Sequence, residues 1–549
     1  MLELTTISLL EALFLGVISI FLCTWVFSNI RFRLDTAKYH WGGKGEGSLV
    51  RVPLKPYYLP LLGSALSFFD KKIGRFWSSL QKVCKSWNLQ AVSLLLAGVR
   101  THIFFAPANI LMVFRAKDLT RHKHARQLAI NVLGMTADQA SRAFPEFLDP
   151  KTNITLERVH TEYLLAQGPV TTLTNKFMEC LLKSTSENVG SEDGCEVELY
   201  SWIKAMLFDG SITALFGSKL LEMQPDLQGD FWIWEQNLLT LLFGTPKLFA
   251  RQAYESRDRL LVKLEAWLAH GYKHTIELDD SVEWEPYFGA RIMRKRHEYY
   301  NQQKLSLSSQ AGKEMIFLAG ILSNAIPTIG WLLAHLFSPT SDPELLPRIR
   351  DEVKTCQRED GSIDMRVLTR LPLLNSTINE VLRLYIDLLI IRQVEKGLII
   401  NGLQIHQNDQ IMASSWMAHR HPDNFTNPEV FDAERFLQDD PKSGGHTAST
   451  SGLGGKYFPF GGGHHMCPGK NFARQEILGT VAVLLLNFDI TFLSFTERQS
   501  GVLQRKGSDP KYFPKMIKAL PGNQVMGLDG DLLVKIKKRA PMGYEASES

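Results

Sequence analysis

The chain has 549 residues, 45% of them hydrophobic and 10% aromatic, enough to bury a large core. Lys and Arg total 61 against 57 Asp and Glu, and the small formal charge of +4 excludes a protein built to neutralise a nucleic-acid backbone. The cysteines Cys23, Cys84, Cys180, Cys195, Cys356 and Cys467 are widely spaced and form no C-x-x-C pair, which excludes a disulfide scaffold or structural zinc site and fits a reduced, cytosol-facing body.

The first predicted element is a membrane anchor. Residues 12–30 carry no charge, and a helix of that length, at about 1.5 Å per residue, just crosses the roughly 30 Å hydrocarbon layer. Glu3 and Glu11 precede it while Arg31, Arg33 and Lys38 follow, so the positive-inside rule places the long carboxyl-terminal body in the cytoplasm. A cleaved signal peptide fits less well: the run is long, its basic residues follow it, and no small-x-small site appears. The expected organisation is a lumenal segment 1–11, an anchor 12–30, a basic and Pro/Gly-rich neck 31–63, one body over 64–540 and a frayed tail 541–549. In the neck, Gly42 to Gly47 form a spacer, and Pro53, Pro56 and Pro60 stiffen the chain before Gly63 turns it.

The body is predicted to be mainly α with small β-sheets. Helices are read over 170–184, 260–275 and 315–337, and strand-like runs over 91–105 and 390–412, where β-branched residues are punctuated by Gly402. The aromatic-rich stretch from Phe231, FWIWEQNLLTLLFGTPKLF, suits either a pocket wall or a helix pair dipping into the bilayer surface. Residues 441–456 read as a polar loop, and no internal repeat or dividing linker appears.

The chemistry is concentrated in YFPFGGGHHMCPGKNFARQEILGTVAVLLLNF, where a glycine-rich loop precedes Cys467 and an apolar helix follows it. Such a loop can bring backbone close to a flat macrocycle, and backbone amides with a helix N-terminus can stabilise a thiolate. Phe460, Gly463, His465, Cys467 and Gly469 match F-x-x-G-x-[R/H]-x-C-x-G in register, and Gly461 lies inside the loop. This resembles the haem-binding loop of the cytochrome P450 superfamily. The resemblance covers about residues 50–540 and implies the P450 fold, with haem b (heme b, iron protoporphyrin IX) and Cys467 as the axial ligand of its iron. A buried cysteine beside a loop would not account for five fixed positions.

Other motifs stand at distances the family would require. Glu380 and Arg383 share a helix face. With Arg435 they resemble the family's buried structural triad, a carboxylate between two guanidiniums that is tolerable only when fully hydrogen-bonded. Arg392 matches the position that pairs with a haem propionate, for which a planar guanidinium is well shaped. His465 stands where most relatives carry a second such arginine. A Trp-x-x-x-Arg helix is missing, and the counterpart TLERVHTEYLLAQ offers Arg158 or His160 for a further propionate.

The helix EMIFLAGILSNAIPTIGWLLAHLF departs from the commoner pattern. Where most relatives carry an acid followed by threonine, this chain has Asn324 and then Ala325. An asparagine can donate to a distal oxygen and accept from water but cannot act as an acid. Pro327 frees the carbonyl of Ser323 and should kink the helix there. The order Asn324, Pro327, Trp331 resembles the branch of cholesterol 7α-hydroxylase, sterol 12α-hydroxylase and prostacyclin synthase, and the cysteine loop looks most like fungal members of that branch. Ile316, Ala319 and Gly320 above the ring, and Leu388, Leu389 and Ile390 beside it, are the expected pocket residues.

The resemblance implies a monooxygenase on the endoplasmic reticulum membrane, single-pass, with NADPH electrons arriving through cytochrome P450 reductase, with cytochrome b5 as a further donor, and a steroid, terpenoid or similar apolar substrate. Two alternatives come with it. The missing acid and threonine favour an isomerase or dehydratase acting on a peroxide without external electrons. A non-catalytic haem or sterol binding protein is the other, against which the intact Cys467, Glu380 and Arg383 speak.

Overall fold

The computed structural model describes residues 9–41, 49–70, 73–116, 118–146, 154–188, 194–275, 279–441, 444–499, 502–517, 521–522 and 524–539. The segment before residue 9, the glycine spacer at 42–47 and the expected tail lie outside the described residues.

Helix α1 runs over Leu9–Trp41, well past the apolar stretch. Residues 31–41 are therefore helical and not the start of a neck. Neither glycine nor proline interrupts them, and Arg31 and Asp35 pair across one turn at 3.7 Å. The basic end is docked on the body. Phe32 is buried edge-on against Trp87 at 5.4 Å between ring centres, and Ser28 Oγ donates to the carbonyl of Tyr57 at 3.0 Å. Toward the other end the apolar surface is open, with Phe14 66% and Leu22 58% exposed. Removing residues 1–27 is expected to shift the protein from the membrane pellet toward the soluble fraction on fractionation. Extending the deletion through Trp41 should in addition lower the melting temperature, because it uncovers the Phe32 contact.

A second helix is long and apolar enough to cross a membrane by composition alone, Leu307–Phe337. Of its most apolar window 78% is buried inside the protein, against 6% for α1, so it is the core helix and α1 the membrane candidate. The helices used below, in chain order, are α2 (Pro107–Arg115), α3 (Leu156–Leu164), α4 (Gln167–Asn188), α5 (Leu199–Phe216), α6 (Leu227–Gln236), α7 (Arg251–His274), α8 (Arg291–Gln302), α9 (Leu307–Phe337), α10 (Pro372–Tyr385) and α11 (Lys470–Asn487). Ser306 caps α9, its hydroxyl accepting from the amide of Ser309. Around α9 pack α5, α7, α10 and α11, and the largest apolar cluster of the protein lies between them.

The aromatic stretch from Phe231 divides in two. Phe231 and Trp234 are fully buried on α6, while Leu248 and Phe249, in the connection to α7, are 85% and 79% exposed.

A five-stranded sheet has the order β1 (Ala91–Leu96), β2 (Val99–Phe104), β6 (Gln410–Ser414), β5 (Leu389–Val394), β3 (Leu119–Thr120). Strands β1 and β2 form a hairpin closed by Ala97 and Gly98, both at positive φ, the geometry that matches the right-handed strand twist. Arg392 pairs with Ile411 inside this sheet. Near the carboxyl end the short strand β7 (Gln524–Val525) pairs antiparallel with β4 (Ile386–Asp387), which brings that region back against the end of α10.

Candidate active site

The cysteine loop is shaped by close backbone packing on α2. Gly461 and Gly463 have φ of 73° and 65°. A Cβ on Gly462 would meet the Phe114 ring at 2.4 Å, and one on Gly463 would meet the Phe114 carbonyl oxygen at 2.2 Å. Side chains at these positions would push the loop off its support. The amide of Cys467 donates to the carbonyl of Phe460 at 2.9 Å, which turns the half-buried thiol toward the start of α11. Burial raises the Cys467 thiol, while the Gly469 amide and the Lys470 charge act to lower it. A Cβ on Gly469 would stand 3.8 Å from the sulfur, so glycine there leaves the thiol accessible. The backbone of His465 lies in the short 3-10 turn Gly463–His465, and its side chain is outside the described residues.

Behind the loop, Glu380 is fully buried between two guanidiniums. Arg383 Nε and Nη2 donate to its carboxylate at 2.7 and 2.8 Å, Arg435 Nε at 3.0 Å, and the Asp432 amide at 3.0 Å. Arg383 Nη1 also donates to the carbonyl of His419 at 2.9 Å, and His419 Nε2 accepts the Phe458 amide at 3.0 Å. Burial, then the charges of Arg420 and Arg383, hold His419 well below the ordinary imidazole range, so it stays neutral and can accept. His419 thus couples the triad to the cysteine loop.

Arg392 is half-buried in the sheet, its Nη1 donating to the carbonyl of Ile391 at 2.9 Å. Burial and the like charge of Arg121 lower it to about 10, and among the described residues no carboxylate pairs with it. His124 lies on the same edge, within 3.2 Å of Gln410 Nε2 and close enough to Arg392 to feel its charge. A half-buried guanidinium with no acidic partner suits an anionic group such as a propionate. Replacing Arg392 with alanine is expected to weaken haem retention several-fold, measured as the haem-to-protein absorbance ratio after gel filtration.

Ile316, Gly320 and Asn324 recur every fourth residue and so share one face of α9. Gly320 is exposed with nothing within 4 Å of its Cβ position, so this stripe faces open space, while Ala319, one step round, is 6% exposed. Asn324 is tied down at both ends of its amide. Its Nδ2 donates to Gln524 Oε1, and its Oδ1 accepts the Val525 amide at 3.4 Å. Its own carbonyl accepts from Thr328 Oγ1 at 2.7 Å.

The other expected residues are dispersed. Strand alternation puts Leu388, Ile390 and Arg392 on one face of β5 and its entry and Leu389 on the other, so the three apolar residues cannot line one wall. Ile390 is buried in a separate apolar cluster with Phe104 and Phe458. His160 is committed elsewhere: Arg296 Nη1 donates to its Nε2 at 2.6 Å, and its ring stacks on Phe317. Burial and the Arg296 and Lys313 cations lower it to about 3, so it is a neutral acceptor within a buried Arg296–Glu314 ion pair. Arg158 is exposed on α3.

The sequence gives no role to Gln524 or Arg121 and suggests only surface or haem-edge places for His124 and His419, whereas His419 is fully buried. The only local signal was the basic run RHKHAR at 121–126. The donor set fits a haem: a half-buried thiol at a helix N-terminus, glycine backbone beside it, and an acid-free guanidinium.

The profile of the family described as Cytochrome P450 matches residues 153–505. The chain is 24% identical over 493 residues to "Cytochrome P450 monooxygenase efuG" of Hormonema carpetanum, covering 81% of this chain and 85% of that protein. It is 26% identical over 497 residues to "Cytochrome P450 monooxygenase fsoE" of Humicola fuscoatra, covering 82% and 84%. Among solved structures, "Retinoic acid bound cyanobacterial CYP120A1" superposes with a TM-score of 0.63 at 19% identity, covering 90% of this chain and all of that one.

Proposed function

The chain belongs to the cytochrome P450 family, and from that premise we propose that it hydroxylates or further oxidises a lipophilic small molecule of steroid, terpenoid or related secondary-metabolite type. It is a P450 monooxygenase with haem b as cofactor, acting on a small molecule. In this reading NADPH electrons reach it through a reductase, with cytochrome b5 as a further donor, at the endoplasmic reticulum membrane. A single span in α1 leaves the body in the cytoplasm. The reading is carried by the half-buried Cys467 thiol at the start of α11, on a glycine loop whose backbone is pressed against Phe114 of α2.

Bound haem supplies dioxygen activation and oxygen transfer. The residues of the chain do the rest. Cys467 would provide the sulfur ligand, and Arg392 would take a propionate, with Arg158 and His465 as further candidates for that task. The stripe Ile316, Gly320, Asn324 borders open space at Gly320, and Asn324 is held by strand β7, its Nδ2 donating to Gln524 and its Oδ1 accepting the Val525 amide. The exposed apolar residues Leu248 and Phe249 and the anchor keep the body at the surface where an apolar substrate and a membrane-bound reductase both reside.

The test is reconstitution with a NADPH-dependent reductase in vesicles, after metabolite comparison of deletion and parent strains has supplied the accumulated compound. NADPH oxidation with label from molecular oxygen in the product is the expected result. The clamped, non-acidic Asn324 favours one second reading, rearrangement of a peroxide. Turnover of a peroxide substrate without NADPH would establish that reading instead.

A further inference from the structure

An asparagine serves a reaction only in the direction its amide is turned, since one end donates and the other accepts. We propose that Asp387 is a positioning residue for this enzyme: its buried carboxylate fastens strand β7, and β7 turns the Asn324 amide so that an N–H is left for an acceptor atom at the open face of α9. The inference rests on the reading of Asn324 as part of the site.

The Asn324 amide is fixed in one orientation. The Val525 main-chain amide can only donate, so the Asn324 atom 3.4 Å from it is Oδ1. Nδ2 is then the donor to Gln524 Oε1. Among the described residues no other group bonds this side chain, so one N–H of Nδ2 is left over. Asn324 lies one turn beyond Gly320, where α9 borders open space. A substrate atom reaching that turn meets a donor, which suits an acceptor such as a hydroxyl, carbonyl or peroxide oxygen.

Strand β7 is tied at both ends. Beyond Val525, the Met526 amide donates to the Tyr385 carbonyl at 2.8 Å, and Trp331 Nε1 donates to the Met526 carbonyl at 2.6 Å. At the other end the tie is Asp387. The Gly522 amide donates to its Oδ2 at 3.0 Å, and Gln524 stands opposite Asp387 in the pairing of β4 with β7. Gly522 has φ of 93°, and a Cβ there would meet the Leu389 side chain at 3.2 Å, so glycine both makes the turn and permits the close approach to β5. Gln524 has φ of 61°, a conformation that a residue with a Cβ keeps only where its surroundings over-determine it. That strained backbone presents the side chain that bonds Asn324.

Asp387 is 0% exposed. Its second bond comes from Trp77 Nε1, on the helix Ile73–Ser86, at 3.3 Å and to the same oxygen that Gly522 uses. Oδ1 takes no bond. A buried carboxylate satisfied on one oxygen alone is uncommon in a core made for stability, and such departures gather where function requires them. Burial raises the carboxyl to about 6, against the Gly522 amide, Trp77 and the Arg420 charge, so near neutral pH the acceptor is mainly the anion.

The test uses the full chain in lipid nanodiscs. Parent, Asp387→Ala, Asp387→Asn, Gln524→Leu, Trp77→Phe and Asn324→Ala proteins are each first shown by the carbon monoxide spectrum of the reduced form to hold haem in the same ligation. Amide hydrogen exchange resolved to single residues is the readout that needs no turnover. In Asp387→Ala, exchange at Gly522 and Val525 should rise about ten-fold or more, the effect of losing one hydrogen bond to a charged group, while Met526 keeps its protection. Asp387→Asn retains an acceptor and should recover most of the protection. Asp387→Ser, too short to span the same distance, stands in if the alanine variant does not accumulate. The infrared stretch of bound carbon monoxide is the second readout. Its band should shift in Asn324→Ala, and shift the same way in Asp387→Ala and in Gln524→Leu, whose side chain is exposed; Trp77→Phe, which removes the other bond to the carboxylate, should move it less. Unchanged exchange at Gly522 in Asp387→Ala, or a loss of protection that spreads equally to Met526, overturns the positioning role. So does a band moved by Asn324→Ala but not by Asp387→Ala. A band indifferent to Asn324→Ala would instead remove Asn324 from the site, and this role with it, so the two failures are distinguishable.

Discussion

Replacing Cys467 with alanine is expected to abolish turnover and the long-wavelength absorption that the reduced protein gives with carbon monoxide. Cys467 is the one cysteine of the glycine loop, and among the described residues no other thiol stands beside it. Met466 is exposed, and the other described cysteines lie elsewhere in the chain, Cys84 and Cys356 buried in core clusters. Without sulfur the iron would lose the electron-rich ligand that favours cleavage of the oxygen–oxygen bond. Cys467→His separates the loss of a ligand from the loss of thiolate. Haem should be retained, but the carbon monoxide band should move to the shorter wavelength of imidazole ligation, with product formation still at background. A long-wavelength band that survives in Cys467→Ala would end the assignment.

Replacing Glu380 with alanine is expected to prevent accumulation of folded, haem-loaded protein. The carboxylate is fully buried and bonded by Arg383, by Arg435 and by the Asp432 amide. Its removal would leave the buried Arg383 guanidinium uncompensated, and breaking a buried pair in this way costs about 3–5 kcal/mol. Whole-domain stabilities are on the order of 5–15 kcal/mol, so that loss is a large share of the total. The damage should reach the cysteine loop, because Arg383 holds the His419 carbonyl and His419 holds Phe458. Thermal melts and haem content should fall together. Arg435 is 10% exposed in its side chain and its guanidinium is also bonded by the Thr426 and Val430 carbonyls. Arg435→Ala leaves Glu380 bonded by Arg383 and the Asp432 amide and should cost less. Equal losses for the two variants would contradict the ranking by burial.

The two predictions differ in what they read. The first changes chemistry with the fold intact, and the second changes the fold that presents the chemistry. A Cys467→Ala protein with a parental melting temperature beside a Glu380→Ala protein that fails to accumulate is the expected contrast.

The sequence by itself determined the features that depend on neighbours along the chain. The spacing around Cys467 sets the glycine turn and the helix start, because backbone freedom and helix capping are local properties. Glu380 and Arg383 pair because residues three apart share a helix face. The uncharged run at 12–30 marks α1, although its helix continues to Trp41 because no glycine or proline stops it. Only the tertiary structure decided which groups meet across long separations. It turned His160 toward the Arg296–Glu314 pair and brought Gln524 onto Asn324 from 200 residues away. Such pairings follow from how helices and hairpins pack around one core. The periodicity of a single element says which face is buried but not which partner will cover it.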